Sequence, residues 1–70
     1  MKNLTRLVVE YGYDRVRETY PYAEAVYLLH CEDGLTFKEI EEGFTISYDN
    51  AILAMEIAVA IDIVGARLRR

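Results

Sequence analysis

The residues best suited to chemistry lie side by side, where His30 and Cys31 precede Glu32 and Asp33. Imidazole, thiolate and carboxylate groups bind zinc, but a zinc site needs several such ligands at a spacing that brings them to one point. Adjacent residues on a helix point in different directions, and the chain has no second histidine or cysteine. We therefore expect no metal site, and we interpret His30 as a helix-end residue and Cys31 as a buried structural residue.

Catalysis finds equally little support in the sequence. No histidine lies at a helical spacing from Cys31 to act as its base, and no glycine-rich loop is near it to hold an oxyanion. Glu39, Glu41 and Glu42 form an acidic cluster, but nothing apolar isolates it as an acid/base pair requires. We expect no enzyme and no cofactor.

Composition predicts one small domain that associates with itself. The chain has 70 residues, which is near the lower limit for an independent core, yet 53% of them are hydrophobic. Such a surplus of apolar side chains favours a second surface, and a homodimer is the simplest way to provide it. There is no long apolar segment for a signal peptide or a membrane span. We expect a cytoplasmic protein, without a membrane, formed by a single helical domain over residues 1–70.

Charge is distributed unevenly along the chain. Residues 23–62 contain nine acidic residues and one basic residue, Lys38, whereas residues 63–70 contain three arginines and no acid. An acidic middle disfavours contact with phosphates, and the basic end favours it.

The elements that must position these residues are helices. Apolar spacing predicts a first helix over residues 3–11 that Gly12 ends, then a short turn after Asp14. Pro21 either interrupts that turn or lies in the first turn of the next helix, over residues 22–31. Gly34 is a candidate for a left-handed helix end.

The remaining elements have recognisable start signals. Thr36 and Glu39 form a capping box that predicts a short helix over residues 36–43, and Ser47 is an N-cap for a last helix over residues 48–68. The predicted fold is all-α: a small bundle of four to five helices with a long apolar C-terminal helix.

The last helix is apolar around most of its circumference, which predicts burial on several sides. In so short a chain, we expect the second neighbour to be another copy, which Ala51, Ala54 and Ala58 would allow to come close. The predicted dimer interface consists of Ile52, Leu53, Met55, Ile57, Val59, Ile61, Val64 and Leu68.

One segment resembles a known motif. Gly34-Leu35-Thr36, Ile40, Phe44 and Ile46-Ser47 lie at the offsets found in the helix-turn-helix of sigma-factor region 4 and of LuxR-type regulators. The resemblance covers about residues 26–57. It departs at Glu41, where those motifs have a small alanine, and at Thr45, where they have glycine. The resemblance implies a helix-turn-helix and a DNA-binding transcriptional regulator.

If the resemblance holds for function, the second helix of the motif would read DNA. Ser47, Tyr48 and Asn50 would then meet base edges and phosphates. The phosphate-binding cations would be Arg15, Arg17, Arg67, Arg69 and Arg70.

Two alternatives remain open. No lysine or arginine lies between Lys38 and Arg67, which weakens DNA binding. The acidic residues could instead dock a basic protein partner on a scaffold that does not bind DNA, as in a DNA-mimicking inhibitor or a small phage-encoded modulator. This acidic patch comprises Glu39, Glu41, Glu42 and Asp49. The third alternative is a purely structural oligomer built on the last helix.

Overall fold

The computed structural model describes the backbone of residues 2–61 and the side chains of residues 4–61, and within these ranges the chain is helical with no strand. The all-α prediction is therefore confirmed. Helix α1 spans Lys2–Tyr11 and ends at Gly12, which has a φ of 94°. The last two helices are α3, Phe37–Gly43, and α4, Tyr48–Ala60.

Between α1 and α3 lies one continuous helical stretch of changing type, which we label α2 (residues 13–32). It is α-helical over Tyr13–Thr19, 3₁₀ over Tyr20–Tyr22, α-helical over Ala23–Tyr27 and π-helical over Leu28–Glu32. Pro21 lies in the first turn of the 3₁₀ segment, a position that tolerates proline. Proline thus changes the type of helix here without ending it, and the described chain has four helices.

The starts of α3 and α4 follow from their capping residues. Thr36 Oγ1 accepts a hydrogen bond from the Glu39 amide (3.1 Å), and Glu39 Oε1 accepts one from the Thr36 amide (2.9 Å), so the predicted capping box is present. Ser47 Oγ accepts from the amide of Asn50 (3.2 Å), as expected of an N-cap. Four residues, 44–47, connect the two helices.

The prediction of a long apolar C-terminal helix over residues 48–68 is wrong for the described chain. Helix α4 has 13 residues and ends at Ala60, after which Ile61 leaves helical geometry with φ −93° and ψ 9°. No proline or capping glycine stands at this point, so the apolar pattern carried no stop signal. Residues 62–68 lie outside the described part.

Helix α4 forms the centre of the core. Its Leu53, Ile57 and Ala58 pack with residues of α1 and α2, among them Leu7 and Val16. A second cluster joins Ala51 and Ala54 to Val26 of α2 and Ile40 of α3. The small alanines therefore admit the chain's own helices and not, as predicted, a second copy.

Full burial also corrects part of the predicted dimer interface. Leu53 and Ile57 have no exposed surface within the single chain. Each contributes on the order of 1.5–3 kcal/mol to folding by this burial. Neither leaves any surface for another molecule.

None of the described helices has both the length and the apolar character needed to cross a membrane.

Candidate interaction surface at the start of α4

The start of α4 holds the residues that the sequence predicts to read DNA. Tyr48 and Asp49 are exposed, whereas Asn50 is half-buried. The hydroxyl of Ser47 is engaged with the backbone amide of Asn50 as the N-cap. Tyr48 is exposed although its ring also meets Phe37, and Asp49, a member of the predicted acidic patch, is exposed beside it.

A carboxylate of α3 accepts a hydrogen bond from the first turn of α4. Glu41 Oε2 accepts a hydrogen bond from the backbone amide of Tyr48 at 3.1 Å. Free amides at the start of a helix attract anions, and a carboxylate there is stabilised by the helix dipole. Here Glu41 already supplies the negative group, so an incoming phosphate would meet a carboxylate in place of a free N–H.

This contact also accounts for one departure from the helix-turn-helix pattern. The pattern has a small alanine where this chain has Glu41. In the structure Glu41 is exposed. Its carboxylate contacts the backbone at the start of α4, so the side chain is not buried between two helices. The sequence placed Glu41 in an acidic patch but gave no sign of this bond.

Arg15 is the predicted phosphate-binding residue that the structure brings to this surface. Its Nε donates to Asn50 Oδ1 at 3.0 Å, and its guanidinium carbon lies 5.3 Å from the centre of the Tyr11 ring. Pairing of an asparagine with adenine uses both the amide oxygen and the amide nitrogen. The oxygen of Asn50 is occupied by Arg15 within the chain.

Tyr11 extends this network to the middle of α4. Its hydroxyl donates to Glu56 Oε2 at 2.8 Å. The pKa of Tyr11 is raised because this bond requires the protonated hydroxyl, and burial and the negative charge of Glu56 add to the effect. The network links α1, α2 and α4 through side chains far apart in sequence.

Arg17, the other predicted arginine that the structure describes, lies apart from Arg15. Arg17 is exposed and lines a shallow apolar pocket with Leu4, Val8 and Tyr20. Arg67, Arg69 and Arg70 lie outside the described residues. Of the two predicted cations within the described residues, Arg15 is therefore the one at the start of α4.

The predicted acidic patch is exposed throughout. Glu39, Glu41, Glu42 and Asp49 all face solvent, although Glu39 and Glu41 also hold backbone amides. A polar cleft of about 240 Å³ adjoins the start of α4 and is lined by Glu18, Thr19, Tyr22, Thr45, Ile46, Ser47 and Asn50. Glu18, which no sequence pattern marked as a site residue, thus adds another carboxylate near this surface.

His30 and Cys31 have separate environments. His30 Nδ1 donates to the carbonyl oxygen of Leu35 at 2.8 Å, and its ring stacks on Phe37 with centroids 4.3 Å apart. Phe37 in turn meets Tyr48 edge to face at 6.3 Å. Cys31 is exposed, so its predicted burial is wrong: it lies in the last turn of α2, beyond the packed part of that helix. Among the described residues, no group of histidine, cysteine and carboxylate side chains could hold a metal ion.

The remaining residues of the predicted dimer interface differ in how far they are exposed. Ile52, Met55 and Ile61 are half-buried and Val59 is 56% exposed. Val64 and Leu68 lie outside the described residues. Of the described residues in this group, Val59 is therefore the one that the chain leaves most exposed.

Comparison with known proteins adds no assignment. No family model, curated protein or solved structure matches the chain. Any functional conclusion therefore rests on the residues and contacts described above.

Proposed function

We propose that this chain is a protein-interaction module on a helix-turn-helix-like scaffold, which binds a basic partner through its acidic surface. We define the acidic surface as Glu39, Glu41, Glu42 and Asp49. The observation that carries the proposal is the hydrogen bond between the Glu41 carboxylate and the Tyr48 amide. It places negative charge at the helix start with which a DNA-reading helix would approach phosphates.

Electrostatic balance supports the same conclusion. Affinity for DNA comes largely from lysine and arginine side chains that neutralise phosphates. Lys38 is the last basic residue before Arg67, whereas the acidic surface has four exposed carboxylates. Such a surface attracts lysine and arginine side chains of a protein partner and repels a nucleic acid.

DNA binding by the start of α4 is the second candidate. The observation in its favour is the position of Arg15, whose Nε bonds to Asn50. The other nitrogens of a guanidinium remain able to donate to a phosphate. In this candidate Arg15 and Tyr48 would hold the backbone of the duplex, with the arginines beyond residue 61 as further cations.

A basic peptide tests the first proposal. We expect a lysine- and arginine-rich helical peptide to bind the wild-type chain, with affinity that falls as salt rises. The double variant Glu42→Lys with Asp49→Lys should weaken binding at least tenfold, because two attractive contacts become repulsive. Fluorescence anisotropy of the labelled peptide measures both.

The matched control separates this surface from the net charge of the chain. Asp14→Lys with Glu24→Lys changes the net charge equally, at exposed positions of α2. It should weaken binding much less. Equal losses in the two double variants would show that the peptide responds only to net charge and would contradict a defined acidic surface.

A further inference from the structure

A second surface, separate from the acidic one in composition, lies between α1 and α4. It is a groove of about 420 Å³, lined by Arg6, Leu7, Phe37, Ile52, Met55, Glu56, Val59 and Ala60. Most of these side chains are apolar, and Val59 is 56% exposed. An exposed apolar surface rimmed by polar groups is typical of a protein contact site.

The groove-lining residues of α4 share one side of that helix. At 100° per residue, positions 52, 55, 56 and 59 fall within one third of the helix circumference. The fully buried Leu53, Ala54, Ile57 and Ala58 occupy the opposite side. Helix α4 therefore carries apolar side chains on two faces, and the described chain buries one face fully and the other only in part.

The charges at the groove indicate what covers the second face. Arg6 of α1 and Glu56 of α4 both line it, so the rim carries one cation and one anion. A partner with a single sign of charge would be attracted to one and repelled by the other. A second copy offers both signs, and under two-fold symmetry a contact of Arg6 with the partner's Glu56 is formed twice, once in each direction.

We propose that the groove is the interface of a symmetric homodimer, in which Val59 of each copy packs into the partner's groove and Arg6 pairs with the partner's Glu56. Within one chain, each of these two side chains already has a partner. Arg6 forms an exposed ion pair with Glu10 at 3.1 Å, and Glu56 accepts from Tyr11. The exposed pair with Glu10 contributes little, so Arg6 can exchange partners at small cost. Glu56 has a second carboxylate oxygen, which can accept from the partner's Arg6 while Oε2 keeps the bond from Tyr11. The proposal does not depend on what the acidic surface binds.

The same substitution at two exposed valines, one in the groove and one outside it, tests the proposal. Val59→Glu puts a carboxylate into the centre of the proposed interface, whereas Val9→Glu makes the same change at an 82% exposed position of α1 that does not line the groove. Sedimentation at micromolar concentration should return a wild-type dimer of about 16.2 kDa, twice the chain mass of 8.1 kDa. Val59→Glu should return the monomer, with a dimer Kd raised at least about tenfold, and Val9→Glu the dimer.

Charge exchange gives a second readout, in which the loss of the Tyr11–Glu56 hydrogen bond is common to the Glu56 single variant and the double variant. Arg6→Glu and Glu56→Arg should each weaken the dimer, because each places like charges opposite one another. The double variant should recover it, and circular dichroism should show the same helix content in all. A wild-type chain of 8.1 kDa, or a dimer that Val59→Glu leaves intact, would overturn the proposal.

Discussion

At the scale of single residues, the bond between Tyr11 and Glu56 is the clearest contributor to stability. It joins the end of α1 to α4 across 45 residues of sequence at 2.8 Å. We expect Tyr11→Phe to lower the free energy of unfolding by about 1 kcal/mol, since it removes one partly buried hydrogen bond. Urea unfolding at neutral pH measures the loss, and Tyr13→Phe at a 64% exposed position should change almost nothing.

The pH dependence of the same pair has a definite sign. The pKa of Tyr11 is raised in the folded chain above its unfolded value of about 10. The contribution of the bond is therefore fully present below pH 10 and is lost as the pH rises through the raised value. The difference between wild type and Tyr11→Phe should stay constant from neutral pH to about pH 9 and shrink above 10. A difference that grows there would contradict the assigned bond.

At the scale of elements, Gly34 determines how α2 ends and α3 begins. Its φ is 76°, a left-handed conformation that side chains with a Cβ adopt only at a cost. Gly34→Ala should lower the free energy of unfolding by about 1 kcal/mol, although no atom lies within 4 Å of the added Cβ.

Gly43 is the matched control for that substitution. It also has open space around an added Cβ, but it lies in α3 without a positive φ. Gly43→Ala should be neutral or stabilise by up to about 1 kcal/mol, because alanine favours the helix. If the two variants lost equal stability in thermal unfolding, backbone conformation would not be the cause.

Local signals made the helix starts predictable. The capping box of Thr36 and Glu39 and the N-cap Ser47 each act within a few residues, and both were predicted from sequence. The end of α4 carries no such signal, and its length was overestimated. At Pro21 the sequence allowed either a break or a first-turn position, and only the packed chain distinguished them.

Contacts between distant residues could not be predicted in the same way. Arg15 and Asn50 were both named as DNA-binding candidates, but their bond to each other spans 35 positions and depends on how α2 packs on α4. The bond from Glu41 to Tyr48 depends on the shape of the connection between α3 and α4. The sequence thus identified these residues without showing that they form hydrogen bonds with one another.

At the scale of the whole molecule, the position of α4 explains the surplus of apolar residues. One side of the helix is buried by α1, α2 and α3, and the other lines the groove that we assign to a second copy. The apolar pattern predicted burial on several sides but could not separate neighbours within the chain from those outside it. The start of the same helix carries the acidic surface, so interfaces of different chemistry would share one element.

We propose that the start of α4 serves a protein partner rather than DNA, and titration of a labelled random duplex distinguishes the two. Anisotropy should be recorded for the wild-type chain at low and at physiological salt, because non-specific phosphate binding is strongest at low salt. We predict no change at micromolar protein in either buffer. Binding at low salt that weakens as salt rises, and that Arg15→Gln abolishes, would contradict the claim and assign this surface to DNA.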